Sequence, residues 1–466
     1  MNLMASSSNQ IMARTGPKRV ASIGDLPSEL LLIIFSIVHS SNVTPEIDWE
    51  DPSVQKQVGQ DEPFRSDANF PYSISLVCHT WLKVMSLVPK FWTRLVIFID
   101  QDYPAPLKDQ LEWSKNLPFE ILCTKRVPDV VHPMEGRNIQ ACISDLAAHL
   151  SRCTNLFLID IQYTSTLPSV ITDLTADAAS LQTLRLECRE VDGRKSISTW
   201  SAELARFSCP SLSRLSLDGA NFMSAFVSKT FDLQRITHFA VAHYCAAVRG
   251  TAFPTDILLD ALSQMLQLTY LVIEDIDFSQ IEASRSVALP LLQSLFLISL
   301  PKPMELLNCI ETEHDVFCGI YLSDCHPPVT HGMDNMTIPI TEFLHLVNIN
   351  YSDSDVDIPS ISLFGWDARR FRIERSDTVS DIVQTLGHDI NGQYAMEALY
   401  GITIIDCPTL SIPVLRETIA IRSTLSQPIE DLLLGGDLPL SEEDIQFFYD
   451  HVPVFDWWPE GDRYPE

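Results

Sequence analysis

Apolar residues follow a helical period close to the start of the chain. The side chains of one helix face recur at i, i+3, i+4 and i+7: Leu30, Ile33, Ile34, Ile37 and Val38. Pro27 fits the first turn of such a helix, where its missing N–H removes no hydrogen bond. Leu31, Leu32 and Phe35 make the other sides of this helix apolar as well. The pattern therefore predicts a helix buried on two faces, one against its own domain and one against something else.

A second helix is predicted from the residues after Pro71 to Val88, with Pro89 ending it. Its apolar side chains again lie at helical spacing: Ile74, Val77, Cys78, Trp81, Val84 and Met85. The apolar run at 95–99 predicts a strand. These two helices contain about fifty ordered residues, fewer than an independent core usually needs. The pattern therefore predicts a module that packs against a neighbouring domain.

Farther along the chain, the short pattern L-x-x-L-x-L recurs in a common frame. Its seven copies begin at Leu181, Leu212, Leu268, Leu292, Phe317, Leu399 and Ile429. Spacings between successive copies are 31 residues from Leu184 to Leu215 and 24 residues from Leu271 to Leu295. Repeats of this length, each supplying one short strand, predict a single array of parallel strands at 117–434 with those four leucines pointing inward. The alternative is an unrelated α/β fold in which the matches arise by chance.

The net charge of the chain argues against some classes of binding partner. The chain has 32 basic and 61 acidic residues, a net charge of −29. A chain this acidic repels phosphate backbones and anionic lipid, which argues against nucleic-acid and membrane-surface binding. The longest apolar run is also far too short to span a bilayer. The acidic residues concentrate in a stretch at 41–69 and in a tail at 435–466, whereas residues 1–22 read as a disordered polar tail.

Cysteine usage favours a reducing compartment. The 11 cysteines are scattered, odd in number, and form no C-x-x-C pair. This distribution predicts free thiols and a cytoplasmic or nuclear location, rather than a disulfide framework.

Residues for catalysis and for metal binding are sparse. The chain has no H-E-x-x-H, no G-x-S-x-G and no Walker-type glycine loop, so we expect no enzyme activity and no cofactor. One cluster contains zinc-ligand types, namely His314, Cys318, Cys325, His326 and His331, but at spacings that fit no standard finger. Acidic residues alternate at 353, 355 and 357 without the downstream glycine and glutamate of a calcium loop. For both groups a structural or solvated role is favoured, and no metal site is predicted.

Three motifs in order point to a known family. They are Leu26-Pro27-x-Glu29-Leu30-Leu31-x-x-Ile34-Phe35, then Ser75-Leu76-Val77-Cys78-x-x-Trp81, then Pro89-x-x-Trp92. Together they resemble the F-box, and are particularly similar to F-box-like proteins abundant in mushroom-forming fungi. The downstream segments resemble a divergent leucine-rich-repeat array. The resemblance implies an α/β chain with a small N-terminal helical F-box module at 23–99, followed by a leucine-rich-repeat-like α/β solenoid.

The resemblance also implies a function. The F-box would bind the Skp-type adaptor of a cullin–RING ubiquitin ligase, and the repeats would hold a protein substrate that the sequence does not identify. Carried over onto this chain, the adaptor-binding residues are Leu26, Pro27, Leu30, Ile34, Val77, Cys78 and Trp81. Trp81 could instead serve the core of the module. The alternative function is a non-catalytic repeat scaffold whose F-box-like helices serve only as an N-terminal cap.

The chain departs from the family between the two helices. F-box helices are normally joined by a short link, whereas here the acidic stretch at 41–69 intervenes. With seven acids and little apolar surface to bury, this insert is expected to be a mobile excursion.

Overall fold

The computed structural model describes residues 26–41, 70–101, 107–127, 130–170, 173–174, 177–192, 207–279, 285–311, 317–325, 341–349, 368–390, 393–425 and 427–458. The tail predicted at 1–22 lies outside these residues, and so does the acidic insert after its first residue. Within the described part, the chain is mixed α/β, with 14 strands in one sheet.

The N-terminal helices follow the predicted pattern with one difference. Helix α1 spans Ser28–Ser41, and the N–H groups of its first turn bond the carbonyl of Pro27. The second predicted helix is divided into α2 (Tyr72–Ser75) and α3 (His79–Ser86). The division occurs because Cys78 is extended, with φ −163° and ψ 164°. No glycine or proline marks this break, so the sequence pattern could not reveal it.

These helices enclose a small core of their own. Its fully buried side chains are Leu31, Phe35, Trp81, Val84, Met85, Phe91 and Trp92. The rings of Phe35 on α1 and Trp81 on α3 lie 5.1 Å apart, edge to face. The indole N–H of Trp92, in the 3₁₀ helix Pro89–Trp92, donates to the carbonyl of Met85 at 3.0 Å. The module is therefore held together by aromatic packing between α1 and α3.

One parallel sheet contains the remaining long strands, and its strand order is the chain order. The strands are β1 (Arg94–Phe98), β2 (Phe119–Thr124), β3 (Cys153–Tyr163), β4 (Thr183–Glu190), β5 (Arg214–Asp218), β6 (His238–Tyr244), β7 (Tyr270–Ile276), β8 (Ser294–Ile298), β9 (Phe317–Ser323), β10 (Thr341–Val347), β11 (Ala368–Glu374), β12 (Gly401–Ile405), β13 (Asp431–Gly435) and β14 (Val454–Trp458). Every strand pairs in parallel with the next strand along the chain.

The core lies on one face of this sheet, beneath the remaining helices: α4 (Leu107–Trp113), α5 (Glu135–Leu146), α6 (Gly219–Val227), α7 (Ala246–Arg249), α8 (Thr255–Leu262), α9 (Pro303–Leu307), α10 (Val379–Gly387), α11 (Ile412–Thr424) and α12 (Glu442–His451). The four leucines predicted to point inward, Leu184, Leu215, Leu271 and Leu295, are all fully buried on that face. Leu184 and Leu215 are direct cross-strand partners, and so are Leu271 and Leu295. The predicted burial and the common sheet are thus confirmed.

Six successive strands, β8 to β13, end in the same backbone conformation. The residue directly after each strand has a positive φ: Ser299, Asp324, Asn348, Arg375, Asp406 and Gly436. Its N–H donates to the carbonyl of the last residue of the following strand, as from Asp324 to Val347 and from Asn348 to Glu374. Short polar residues are among the few that tolerate this left-handed region, which explains how the sheet repeats its turn with so few glycines.

The sheet extends beyond the predicted array at both ends. It begins at β1, before residue 117, and ends at β14, after residue 434. Within the acidic tail predicted at 435–466, residues Glu442–His451 form α12 and residues Val454–Trp458 form β14. The acidic residues there start a helix: Ser441 and Asp444 form a capping box, and carboxylates in the first turn complement the positive end of the helix dipole.

Truncating an inward leucine should be costly. We expect Leu215→Ala to lower the free energy of unfolding by roughly 2–5 kcal/mol, because it removes buried methyl groups and leaves a cavity. The matched control is Leu266→Ala, whose side chain is exposed and should cost well under about 1 kcal/mol. Urea denaturation of both variants measures the difference. Equal losses would contradict the assignment of Leu215 to the core.

Candidate functional site

Helix α1 carries a stripe of exposed apolar side chains. Leu30, Ile33, Ile34 and Ile37 are 46%, 57%, 37% and 61% exposed, and they recur at helical spacing. We refer to these four residues as the α1 stripe. On the opposite side of the same helix, Leu31 and Phe35 enter the module core. Helix α1 thus has two apolar faces, of which only one is used within the described chain.

More apolar surface lies exposed at the ends of α3. Leu76 and Val77 are in the break between α2 and α3, and Leu87 directly follows α3; all three are largely exposed. Because α1 and α3 pack against each other, these residues belong to the same small module as the α1 stripe. Exposed apolar side chains grouped in this way are typical of a surface that binds another protein.

The structure separates the seven predicted adaptor-binding residues into two groups. Pro27, Leu30, Ile34, Val77 and Cys78 are exposed. Leu26 is partly buried and packs against the module core, and Trp81 is 8% exposed within that core.

Four of the exposed apolar residues described above were not among the predicted ones: Ile33, Ile37, Leu76 and Leu87. The signal for Ile33 and Ile37 was present in the helical spacing that they share with Leu30 and Ile34. Leu76 lay inside a predicted helix, and its exposure depends on the break at Cys78, which carried no sequence signal.

The module is firmly attached to the first strands of the sheet. The ring of Trp92 lies 4.5 Å from that of Trp113 on α4. The hydroxyl of Tyr72 donates to the side-chain oxygen of Gln110 at 2.7 Å and accepts from the N–H of Val96 on β1 at 3.2 Å. These contacts involve α2, α4 and β1, but not the α1 stripe. We refer to this set of contacts as the joint.

The other face of the sheet, opposite the leucine rows, carries a row of rings. In order across β6 to β10 these are His238, Tyr270, Phe296, Tyr321, Phe343 and His345. Phe296 and Tyr321 stack with their centroids 4.1 Å apart. Tyr270 and Phe296 are buried, whereas Tyr321 and Phe343 are half-buried. The row gives this face a rigid, partly accessible apolar surface.

A charged group follows the ring row. His345 lies 3.3 Å from the carboxylate of Glu374, and Arg372 contacts the same carboxylate. Burial opposes ionisation of Glu374, but the hydrogen bond and charge of His345 and the charge of Arg372 outweigh it and lower the pKa of Glu374 to about 2. Glu374 is therefore ionised at neutral pH and already paired.

The metal-ligand candidates do not form a site among the residues that the structure places. No group of three or more His, Cys, Asp or Glu side chains there could hold an ion. His314, His326, His331 and the acidic residues 353, 355 and 357 lie outside the described residues. Cys325 is buried, and its thiol donates to the carbonyl of Leu297 at 3.3 Å. Cys325 is thus part of the buried core of the array.

No model of a known protein family matches this chain, and no curated protein matches it. Within the described residues, no helix has both the length and the apolar character needed to cross a membrane.

Proposed function

We propose that this chain is a substrate receptor of an SCF-type cullin–RING ubiquitin ligase. In this proposal the N-terminal module binds a Skp-type adaptor, the sheet holds a target protein, and other subunits transfer ubiquitin. The observation that carries it is the α1 stripe, together with exposed Pro27, Val77 and Cys78 from the first two F-box-like motifs.

The α1 stripe has the properties of a binding surface. Four branched apolar side chains project from a helix whose other face is anchored by Leu31 and Phe35. Fully burying an exposed apolar side chain of this size is worth roughly 1.5–3 kcal/mol, and since the four stripe side chains are about half exposed, a partner that covers them recovers roughly twice that amount. Because the helix is already folded and packed, little ordering energy is lost on binding.

The sheet suits the second part of the proposal. One strand per unit, pairing in chain order and a buried leucine frame are the features of a leucine-rich-repeat solenoid. An array of this kind presents an extended face to a protein partner. We propose the face with the ring row for the target, because it is apolar and is not covered by the helices of the core.

The alternative function is a repeat scaffold that uses the module only as a cap. The joint supports this alternative, since Tyr72 contacts Val96 on the first strand and Trp92 packs against Trp113 on α4. A cap, however, needs only the faces that meet the sheet. A cap function does not explain why leucine and isoleucine side chains on α1 are exposed and point away from the module core. The two functions therefore differ in what the α1 stripe binds.

The test replaces two stripe residues. We expect Leu30→Asp/Ile34→Asp to weaken binding of a purified Skp-type adaptor at least about 30-fold, roughly 2 kcal/mol, because two charges must be desolvated at the contact. Isothermal titration calorimetry measures the dissociation constant. Leu26 is unsuitable for this test, because it packs against the module core and its replacement would disturb folding.

The matched control is Val227→Asp/Leu266→Asp, which places two charges at exposed apolar positions of the array. This variant should bind the adaptor as the unchanged chain does. Circular dichroism confirms that both variants are folded. Unchanged adaptor binding by the stripe variant, or absence of binding by the unchanged chain, would favour the cap.

A further inference from the structure

Two cysteine thiols lie next to each other between a strand and a helix, close to the N-terminal end of the sheet. The sulfur of Cys123 on β2 lies 3.2 Å from that of Cys142 on α5, nineteen positions farther along the chain. The two side chains are 0% and 4% exposed. This thiol pair brings together a strand and the helix that follows it. It takes no part in the proposed binding of adaptor or target.

The pair is nearly in position to form a covalent bond. Two bonded sulfurs lie about 2.05 Å apart, so the sulfurs need to approach by only about 1.2 Å. The approach that a disulfide requires is therefore short.

We propose that Cys123 and Cys142 form a reversible intrachain disulfide when the chain meets a peroxide. One thiolate attacks the peroxide, the O–O bond breaks, and a sulfenic acid and water form. The second thiolate then displaces hydroxide from the sulfenic sulfur, so that the S–S bond forms and a second water is released. Two thiols thus lose two electrons and two protons to one peroxide. A dithiol reductant returns both cysteines to thiols and is itself oxidised to a disulfide.

The surroundings of the thiol pair make its oxidation slow. The hydrogen bond to Cys142 and, after it, burial raise the pKa of Cys123 well above its usual value. Little thiolate is therefore present at neutral pH, and oxidation proceeds through local opening. The two thiols are therefore oxidised during prolonged exposure to peroxide and not during a brief exposure.

The proposed disulfide lies close to the joint between the N-terminal module and the sheet. Cys123 on β2 is the cross-strand partner of Ile97 on β1, which directly follows Val96, so Cys123 of the thiol pair lies on the strand next to the one that Tyr72 contacts. Tyr72 bonds Gln110 and Val96 at the joint. A disulfide between β2 and α5 therefore braces the part of the sheet to which the N-terminal module is attached.

The experiment oxidises the full chain with hydrogen peroxide and maps its disulfides by mass spectrometry without reduction. We expect the linked pair of peptides containing Cys123 and Cys142, and a thermal midpoint about 2–5 °C higher, because the bond closes a loop in the unfolded chain. Dithiothreitol should reverse both changes. Cys142→Ala should lose both, and Cys209→Ala, which alters another buried cysteine, should keep both.

Two results would overturn the proposal. In the first, Cys123 and Cys142 still carry free thiols when the buried Cys209 of the same sample has been oxidised. In the second, either of the two is oxidised without linking to the other. Peptide mapping of the unchanged chain decides both, so the conclusion does not depend on the folding of a variant. Neither result bears on adaptor binding.

Discussion

Replacing Arg422 with methionine is expected to lower the free energy of unfolding by about 5 kcal/mol or more. Arg422 lies on α11 and is fully buried. Its guanidinium donates to five backbone carbonyls: those of Leu386, Ala395, Met396, Leu399 and Gln427. Methionine fills similar space but donates nothing, so several buried carbonyls lose their donor at once. Each such loss costs about 1–3 kcal/mol.

Arg416→Met is the control for this experiment. It alters an arginine on the same helix that is partly exposed and bonds the carboxylate of Asp444 at 2.8 Å. A partly exposed pair of this kind is worth about 0–1 kcal/mol. Urea denaturation followed by circular dichroism compares the two variants. If their losses agree within about 1 kcal/mol, the carbonyl contacts of Arg422 do not hold the C-terminal units together.

A second large effect is expected at a buried ion pair. The ammonium of Lys125, just after β2, lies 2.8 Å from the carboxylate of Glu135 on α5, and the two side chains are 0% and 3% exposed. The same carboxylate accepts from the N–H of Gln162 at 2.7 Å. We expect Lys125→Met to cost about 3–5 kcal/mol, because it leaves a carboxylate buried without its counter-charge.

The double variant separates this cause from simple loss of packing. Lys125→Met/Glu135→Leu removes both charges and should recover most of the stability that Lys125→Met loses, since a buried pair often stabilises no more than apolar residues of similar size. The control cycle uses Arg369 and Glu342, which are 3.2 Å apart and largely exposed, and should show a coupling below about 1 kcal/mol. A double variant as unstable as the single one would refute the charge explanation.

The sequence predicted that a parallel sheet forms more accurately than it predicted which strands belong to it. In all seven copies of L-x-x-L-x-L the second and third apolar positions fall on strands of the sheet. The strands it missed follow the same frame with other apolar residues, as in Ile236-x-x-Phe239-x-Val241 on β6 and Ala368-x-x-Phe371-x-Ile373 on β11. All six of those residues are buried. The core requires apolar shape at three positions per unit rather than leucine itself, so a pattern restricted to leucine finds only part of the array.

The candidate site was less predictable for a different physical reason. Helix α1 is apolar on nearly all sides, and helical spacing alone does not tell which face meets the module core. The structure directs Leu31 and Phe35 inward and leaves Leu30 and Ile34 exposed. Trp81 lies inside, because its ring packs on Phe35. Such choices depend on the positions of other helices, which a one-dimensional pattern does not contain.

The chain order of the strands bears on how the protein is made. A ribosome releases the N-terminal module and β1 first, and every later strand then finds its preceding sheet partner already synthesised. No strand waits for a distant part of the chain, so contacts stay local in sequence and the order of synthesis can also be the order of assembly. At each stage the growing edge is a single strand, and the next unit to emerge covers it. The nascent chain therefore exposes little of its sheet to neighbouring polypeptides while translation continues.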